Sequence, residues 1–473
     1  MHDTHYSRPA LQGPPMSQYV PETGTSPEIT KRDQLIESFV HSAKPREQWR
    51  VGTEYEKVAV RRSDGRAVPY SGLRGIEALL RRLAERYGWE PIEEEGHVVA
   101  LQGRKAAITL EPGGQVELSG EVCESVHCAA AEFAEHIDQI VTVGDDLDIA
   151  FLGLGMQPVT KPHEFELVPK KRYGIMWPHM ARVGTLGQRM MTQTATVQVN
   201  VDYGSEADAM QKLRVGMGIG SLLTAMFANS PLSDGDPNGY KSFRGHIWTD
   251  TDNARSGLLR FVFDSGAGFE HYVEWALDVP MYFIVRGGAW IDMTAHTFRD
   301  FMTHGFQGHR ATMSDWSAHL TTLFPEARMK GYIEWRSCDS QAPELMLAVP
   351  ALAKGLLYDS DCLQASWDLV KAWSWDERVE LWHAVHKQAL QTRIRRIELA
   401  EIARELVAIA IEGLHRQHTL DDAGRDESIY LERLEQMVAR GRCPADAIIE
   451  QWIGAWNGDV QRLIEGSSYR IAA

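Results

Sequence analysis

Carboxylates spaced to share one face of a strand occur twice early in the chain, in Gly52-Thr53-Glu54-Tyr55-Glu56 and in Leu110-Glu111-Pro112-Gly113-Gly114-Gln115-Val116-Glu117-Leu118-Ser119-Gly120. Side chains alternate faces along an extended segment, so Glu54 points with Glu56 and Gln115 with Glu117. Two like charges on one face repel. Water relieves that repulsion on an exposed face, and an isolated E-x-E commonly marks nothing more. Here Val51 and Val58-Ala59-Val60 flank the pair and place it in a folded sheet, where a cation between the carboxylates would offset the repulsion. Oxygen donors without His or Cys suit a hard divalent ion, Mg²⁺ above all. The pattern reads as a Mg²⁺ enzyme that handles phosphate.

Three further constellations carry chemistry. In Thr194 to Asp202, Thr194, Thr196, Gln198, Asn200 and Asp202 share one face and Ala195, Val197, Val199 and Val201 the other. A solvent-facing strand alternates in the same way, but solvated strands usually mix in long charged side chains, whereas amides and hydroxyls suit a face that orients a ligand. The stretch Phe243 to Gly257 holds Arg244, Arg255, Asp250 and Asp252 in a loop-like context. Arg255 or Arg244 can grip an amino-acid carboxylate through two parallel hydrogen bonds, and a surface ion-pair loop is an equal reading. In Gly331 to Asp339, Glu334 and Arg336 fall on one side, Ile333 and Trp335 on the other. A structural salt bridge explains such a pair in isolation. Beside metal and nucleotide phosphates, Glu334 would ligate Mg²⁺ and Arg336 would stabilise charge on a phosphoryl group.

These segments need a large scaffold, and 473 residues supply one elaborated catalytic domain or two closely packed ones. Apolar content of 44% and charged content of 24% are those of a globular chain. No apolar run approaches the roughly 20 residues that span a bilayer, and the N-terminus is polar, with no basic-then-apolar signal. A cytoplasmic location is the expectation. A net charge of -16 argues against nucleic-acid partners. Five cysteines without C-x-x-C spacing read as reduced, mostly structural thiols, Cys338 included.

Residues 1–28 read as a flexible tail rich in Pro and Gly, with order from Ile29. Periodicity gives helices over 31–42, 74–86, 123–147 and 205–228, the last opening on a capping box of Ser205 and Asp208. Strands are expected over 49–61, 98–101, 107–110, 149–155 and 195–202. The catalytic sheet-and-helix core is thus 29–350. Residues 351–473 are helical throughout, with helices over 365–371, 375–412, 429–439 and 445–463, packed on the same domain.

The run Leu110 to Gly120, with Gly153 to Pro158, Pro169 to Tyr173, Thr196 to Asp202, Phe227 to Pro231, His246 to Asp252 and the Glu334/Arg336 motif, resembles glutamate-cysteine ligase of the branch shared by plants and many proteobacteria. The similarity extends from about Glu37 to Trp456. It implies an α+β, glutamine-synthetase-like fold, in which a curved antiparallel sheet forms a saddle-shaped cavity flanked by helices. The implied reaction is ATP-dependent: the γ-carboxyl of L-glutamate becomes a γ-glutamyl phosphate, and the L-cysteine amine displaces phosphate to give γ-glutamylcysteine, the first step of glutathione synthesis. Position by position, the resemblance makes Glu54, Glu56, Glu117 and Glu334 metal ligands. Gln198 stands where some relatives have a ligating His, and Glu111 is a further ligand or a brace of its turn. Arg336 falls to the phosphates of ATP, Thr196 and Asn200 to substrate orientation, and Arg255 to the glutamate α-carboxylate. A monomer or homodimer is expected. Trp335 and Cys338 depart from the pattern and are positioned to alter the nucleotide or cysteine pocket. Plant members carry a redox-active cysteine pair around a hairpin. The corresponding stretch, Gly305 to Asp315, has no Cys, so no redox response is expected. A sister ligase using another amine, or a non-catalytic glutamate-binding subunit, are the alternatives.

Overall fold

A computed structural model describes residues 26–471. Nine antiparallel strands form the central sheet: β1 (Val51–Arg61), β2 (Glu90–Glu94), β3 (His97–Gln102), β4 (Ala107–Leu110), β5 (Val116–Ser119), β6 (Ile149–Leu152), β7 (Val197–Val201), β8 (Ala327–Met329) and β9 (Ile333–Trp335). Their spatial order is β8-β9-β7-β1-β5-β4-β3-β2. β1 is the pivot. Its first half lies between β5 and β7, and Val58 to Arg61 continue past them to pair with β6.

Ten of the eleven residues of β1 are buried, on both faces. On one face Tyr55 packs its ring 4.7 Å from Phe133 of the helix Val126–Leu147, while Val197, Val199 and Val201 of β7 are buried in the same core. That apolar face anchors the strands, so the opposite face is free to carry polar groups. The 22-residue helix Glu206–Phe227 packs on this apolar side: a methyl at Gly216 would meet the Trp335 indole. Ser205 caps this helix by accepting from Asp208 N (3.2 Å), but Asp208 accepts from Gly204 N (2.8 Å), one residue earlier than the reciprocal bond of a capping box.

Helices beyond residue 350 lie on the sheet rather than apart from it. Ala348–Leu357 packs on β7 and crosses Leu399–Gln417 where Gly355 meets Gly413. Any Cβ on Gly413 would overlap the Gly355 carbonyl oxygen, so the crossing needs two small residues. Two expected helices are each divided. The 375–412 segment breaks into Trp375–Gln388 and Leu399–Gln417 around a short hairpin, and the last into Pro444–Ile453 and Val460–Ser467 around Gly454 and Gly458. The chain then returns to the sheet, where Tyr469 N donates to Phe151 O of β6 (2.8 Å). No described helix is long and apolar enough to cross a membrane.

Two expectations need correction. Residues 1–25 of the proposed tail lie outside the described residues, but Ser26 to Glu28 are ordered against residues 312–314, with Met313 N donating to Pro27 O (3.0 Å). Cys123 and Cys128, read as thiols, form a disulfide. Cys123 is held beside Val51 by a pair of backbone bonds, and Ser125 caps the helix containing Cys128, which brings the two Cα atoms to 5.7 Å, a disulfide-compatible distance. Cys338, Cys362 and Cys443 are buried free thiols.

The disulfide closes only a short loop, which is also fixed by Gly120 N to Thr53 O (2.8 Å) and Glu121 N to Glu132 Oε1 (2.7 Å). Reduction by dithiothreitol, or the C123S/C128S pair, is expected to lower unfolding stability by at most about 2 kcal/mol in urea and to leave turnover unchanged. A several-fold change in rate would show that the loop depends on the bond.

Candidate active site

Register carries the acidic residues into one row across the sheet. Glu56 lies opposite Glu117, Glu54 opposite Gln198, Asn200 opposite Glu334, and Glu334 opposite Arg328. Residues directly opposed in antiparallel strands share a face. The turn between β4 and β5 adds a further carboxylate. Gly114 at φ 83° makes the turn possible, and Gly113 lies so close to the Thr192 backbone that a side chain would not fit. Glu111 then reaches Glu56 and Glu117, the three offering oxygens within 4.8 Å of one another.

These groups line one cavity of about 130 Å³, with Glu54, Gln115, Thr194, Thr196 and Gln198 on the floor and Arg244, Arg328, Lys330 and Arg336 toward the other end. Met176, Met190 and Phe283 stand in its wall. Small-ligand sites usually measure about 300–1,000 Å³, so this cavity is small for its class. The site is bipolar. One end is three carboxylates; at the other, Glu334 receives Arg328 Nη2 at 2.7 Å, Lys330 Nζ at 3.0 Å and Arg336 Nη1 at 2.5 Å.

Burial raises the carboxyls of Glu56 and Glu111 above the usual range; Glu111 and Glu117 add to the effect on Glu56, and Glu117 to that on Glu111. Burial, then Glu334 and Glu117, push Glu54 up to about 7. Burial alone would raise Glu334 too, but Arg328, Lys330 and Arg336 hold it well below the ordinary range. The donor set therefore fits a hard cation at Glu56, Glu111 and Glu117: three carboxylate oxygens in mutual reach, with Glu56 and Glu111 disfavoured as anions until something positive joins them.

The sequence-proposed residues divide accordingly. Glu54, Glu56, Glu117, Gln198, Thr196 and Arg336 all line the cavity. Gln198 Oε1 is taken by the Arg336 guanidinium, and Thr196 Oγ1 donates to Cys338 O at 2.6 Å. Asn200 lies beneath, its Nδ2 donating to Glu54 Oε1 at 3.1 Å and its Oδ1 unpartnered. Glu334 is fully buried, its carboxylate surrounded by three cations apart from the acidic trio.

Arg255 is not brought into the cavity. It is fully buried, bonded to Asp252 (2.6 Å), Thr322 O (3.1 Å) and Pro280 O (2.6 Å), with Tyr282 under its guanidinium. Its segment is not a surface loop, because helical turns at Phe243–Ile247 and Trp248–Asp250 fold it inward. Arg244 is the arginine that faces the cavity, steadied by Arg336 O (2.9 Å). Trp335 and Cys338 do not line the cavity.

Sequence reasoning missed Arg328, Lys330 and Arg172. Arg328 and Lys330 precede the Glu334 motif at alternate positions, a signal available from the strand period. Arg172 lies in the Pro169 to Tyr173 motif that carries the resemblance but was given no role there: helix Lys171–Val183 reaches the acidic turn through Lys170 Nζ and Tyr173 OH, which donate to Leu110 O at 2.8 and 2.9 Å.

The family model for glutamate-cysteine ligase family 2 matches residues 50–466. The chain belongs to that family. It is 42% identical over 93% of its length to glutamate-cysteine ligase B, chloroplastic, of Oryza sativa subsp. japonica, covering 88% of that protein. It is 41% identical over 95% of its length to the Arabidopsis thaliana enzyme named glutamate-cysteine ligase, chloroplastic, covering 85% of it. A crystal structure of glutamate-cysteine ligase from Francisella tularensis in complex with AMP superposes with a TM-score of 0.52 at 15% identity, covering 90% of each chain. That likeness supports the mixed helix and antiparallel-sheet fold. The expectation of a cytoplasmic location does not stand, because family relatives across several plants are named chloroplastic. It had rested on the lack of an apolar signal, and that lack does not specify a compartment.

The raised carboxyls make a sign-definite prediction. Glu54 holds its proton up to about pH 7 in the fold but only to about 4.3 when unfolded, so the native state binds more protons across that window and stability falls as pH rises through it. Without divalent cation, Tm should therefore decline between those pH values less in Glu54→Gln than in the parent. Mg²⁺ should raise the parent's Tm more at pH 8 than at pH 5.5. Equal Mg²⁺ shifts at both pH values would contradict the assignment.

Proposed function

We infer that this chain joins the γ-carboxyl of L-glutamate to the amine of L-cysteine at the expense of ATP, through a γ-glutamyl phosphate. The supporting observation is that the family match covers the strands which build the bipolar cavity, β1 to β9. A carboxylate is a poor electrophile because oxide leaves badly, and phosphoryl transfer supplies a better leaving group. That transfer crowds negative charge from the ATP tail and the substrate into one place. Bound Mg²⁺ supplies neutralising charge there, and Glu56, Glu111 and Glu117 are the residues that would hold it, with Glu54 beside them.

The opposite pole works on the anions. Arg336 is stacked against Phe324 and Trp248, at 5.4 and 5.9 Å from their ring centroids, and is tied to Glu334 and Gln198. A guanidinium held at several points needs no reorganisation as phosphoryl charge develops. We assign Arg336 and Arg244 to the phosphates and give Glu334 the role of fixing Arg328, Lys330 and Arg336 rather than ligating metal. Asn200 positions Glu54, Thr196 borders the substrate, and Gln198 orients Arg336. Arg255 supports the cavity wall from outside. The curved sheet and its helices support a glutamine-synthetase-like saddle as the finer description of the fold.

Phosphate release in the presence of ATP, Mg²⁺ and glutamate tests the reading across a panel of amines. Cysteine should give the highest kcat/KM, and no preference for it would unseat the proposed acceptor. Glu117→Gln and Arg336→Gln should each lower kcat by on the order of 10²- to 10³-fold while leaving far-ultraviolet circular dichroism unchanged. Near-parental turnover in either variant would remove that residue from the mechanism.

A further inference from the structure

Asp339 follows the end of β9 and does not line the acid-lined cavity, yet its carboxylate is fully buried. Three neutral donors hold it: Asn229 N (2.8 Å) and Ser230 Oγ (2.7 Å) on one oxygen, Ser242 Oγ (2.9 Å) on the other. A buried carboxylate needs such partners. Two of them do more than satisfy it.

Each serine hydroxyl has one proton and two lone pairs. With both protons committed to Asp339, the lone pairs are turned toward the short helical turn Phe243–Ile247: Ser230 Oγ accepts from Arg244 N (3.0 Å) and Ser242 Oγ from Gly245 N (3.0 Å). Asp339 therefore sets the backbone of Arg244 at one remove. The Arg244 side chain is held from the same place. Its Nη1 stands 3.9 Å from Asp339 Oδ1, an electrostatic contact rather than a hydrogen bond, and its Nη2 donates to Arg336 O (2.9 Å). Asp339 itself cannot drift, because it pairs with Thr196 through a backbone bridge and a Cβ on Gly155 would stand only 2.5 Å from the Asp339 Cβ. One carboxylate thus ties the segment bearing Arg336 to the turn bearing Arg244.

We propose that Asp339 is a positioning residue for the ligase reaction, holding Arg244 against Arg336 through Ser230 and Ser242 so that both guanidiniums face the transferring phosphoryl group. This rests on the assignment of Arg244 to the phosphates. Displacement of a reacting or stabilising group by about 1 Å can cost on the order of 10²-fold in rate, and a guanidinium on a turn of 5 residues has no long element of its own to hold it. Asp339 supplies what the turn lacks.

Asp339→Asn keeps the shape of the side chain but replaces one acceptor oxygen by a donor that opposes the existing donors. It should lower kcat by about 10- to 10²-fold and leave KM for cysteine unchanged. Ser242→Ala, which removes one arm and keeps the charge, should lower kcat less. If Asp339 acts through Arg244, Asp339→Asn should cost little further in an Arg244→Gln background, because residues that act as a unit are non-additive. A carboxylate that only stabilised the fold would lower Tm, and its effect on kcat would multiply with that of Arg244→Gln. Calorimetric titration with Mg-ADP repeats the cycle without turnover, which separates this proposal from failure of the ligase reading. Affinity should fall in Asp339→Asn and in Arg244→Gln, and no further in the double variant. Should Asp339→Asn not fold, Ser242→Ala takes its place in both cycles. Parental kcat in the variant, multiplicative effects in either cycle, or unchanged ADP affinity in Arg244→Gln would each overturn the proposal.

Discussion

Like charges buried together cannot all ionise unless something positive joins them, and the placement of Glu56, Glu111 and Glu117 makes this the governing constraint of the molecule. The three lie on two neighbouring strands and the turn that ends one of them, within 4.8 Å of one another. Ordinary surface acids would drift apart into water. These cannot, because β1 is buried on both faces and its register against β5 and β7 is fixed over several residues on each side. The fold thus holds its acids in an arrangement that is unfavourable for the isolated protein and favourable for a cation-bound one.

The other pole resolves the same problem differently. Glu334 is fully buried, more so than half-buried Glu111 of the acidic trio, yet three cations from β8, the turn after it and the residue following β9 surround it. Buried ion pairs contribute little net stability, since desolvation consumes much of the Coulombic gain. Their worth lies in geometry. With Arg336 also bound to Gln198 and stacked on two aromatic rings, its direction is set before any ligand arrives. The stabilisation that tolerates these costs comes from the large apolar core on the opposite face of the sheet, where Tyr55, Phe133, Val199 and Trp335 lie.

How much of this was legible in the sequence depended on range. The period-2 pattern placed Glu54 with Glu56, and Thr196 with Gln198, on the correct face, because strand alternation is a local property. Which strands are neighbours is not local. The resemblance of long motifs supplied that link, and the register then made Glu56 face Glu117. Arg255 shows the limit. Its residue type suited an anion, but whether a guanidinium faces a cavity or an internal partner depends on Asp252, Thr322 and Pro280, far apart in sequence or joined to it only by a tight turn. The Cys123–Cys128 bridge escaped notice because spacing alone does not reveal the turn and helix start that bring the two Cα atoms together. The division of the last helices at Gly454 and Gly458 was local information that helical periodicity overrode.

The backbone bond from Tyr469 to Phe151 has a consequence for folding. β1 has β5, β6 and β7 as neighbours and β9 one strand further, and β6 is completed by Ser468 and Tyr469 from far along the sequence. Pairings of such long sequence separation form slowly. Until they form, the strands expose an unfinished edge, the kind of surface that general chaperones shield.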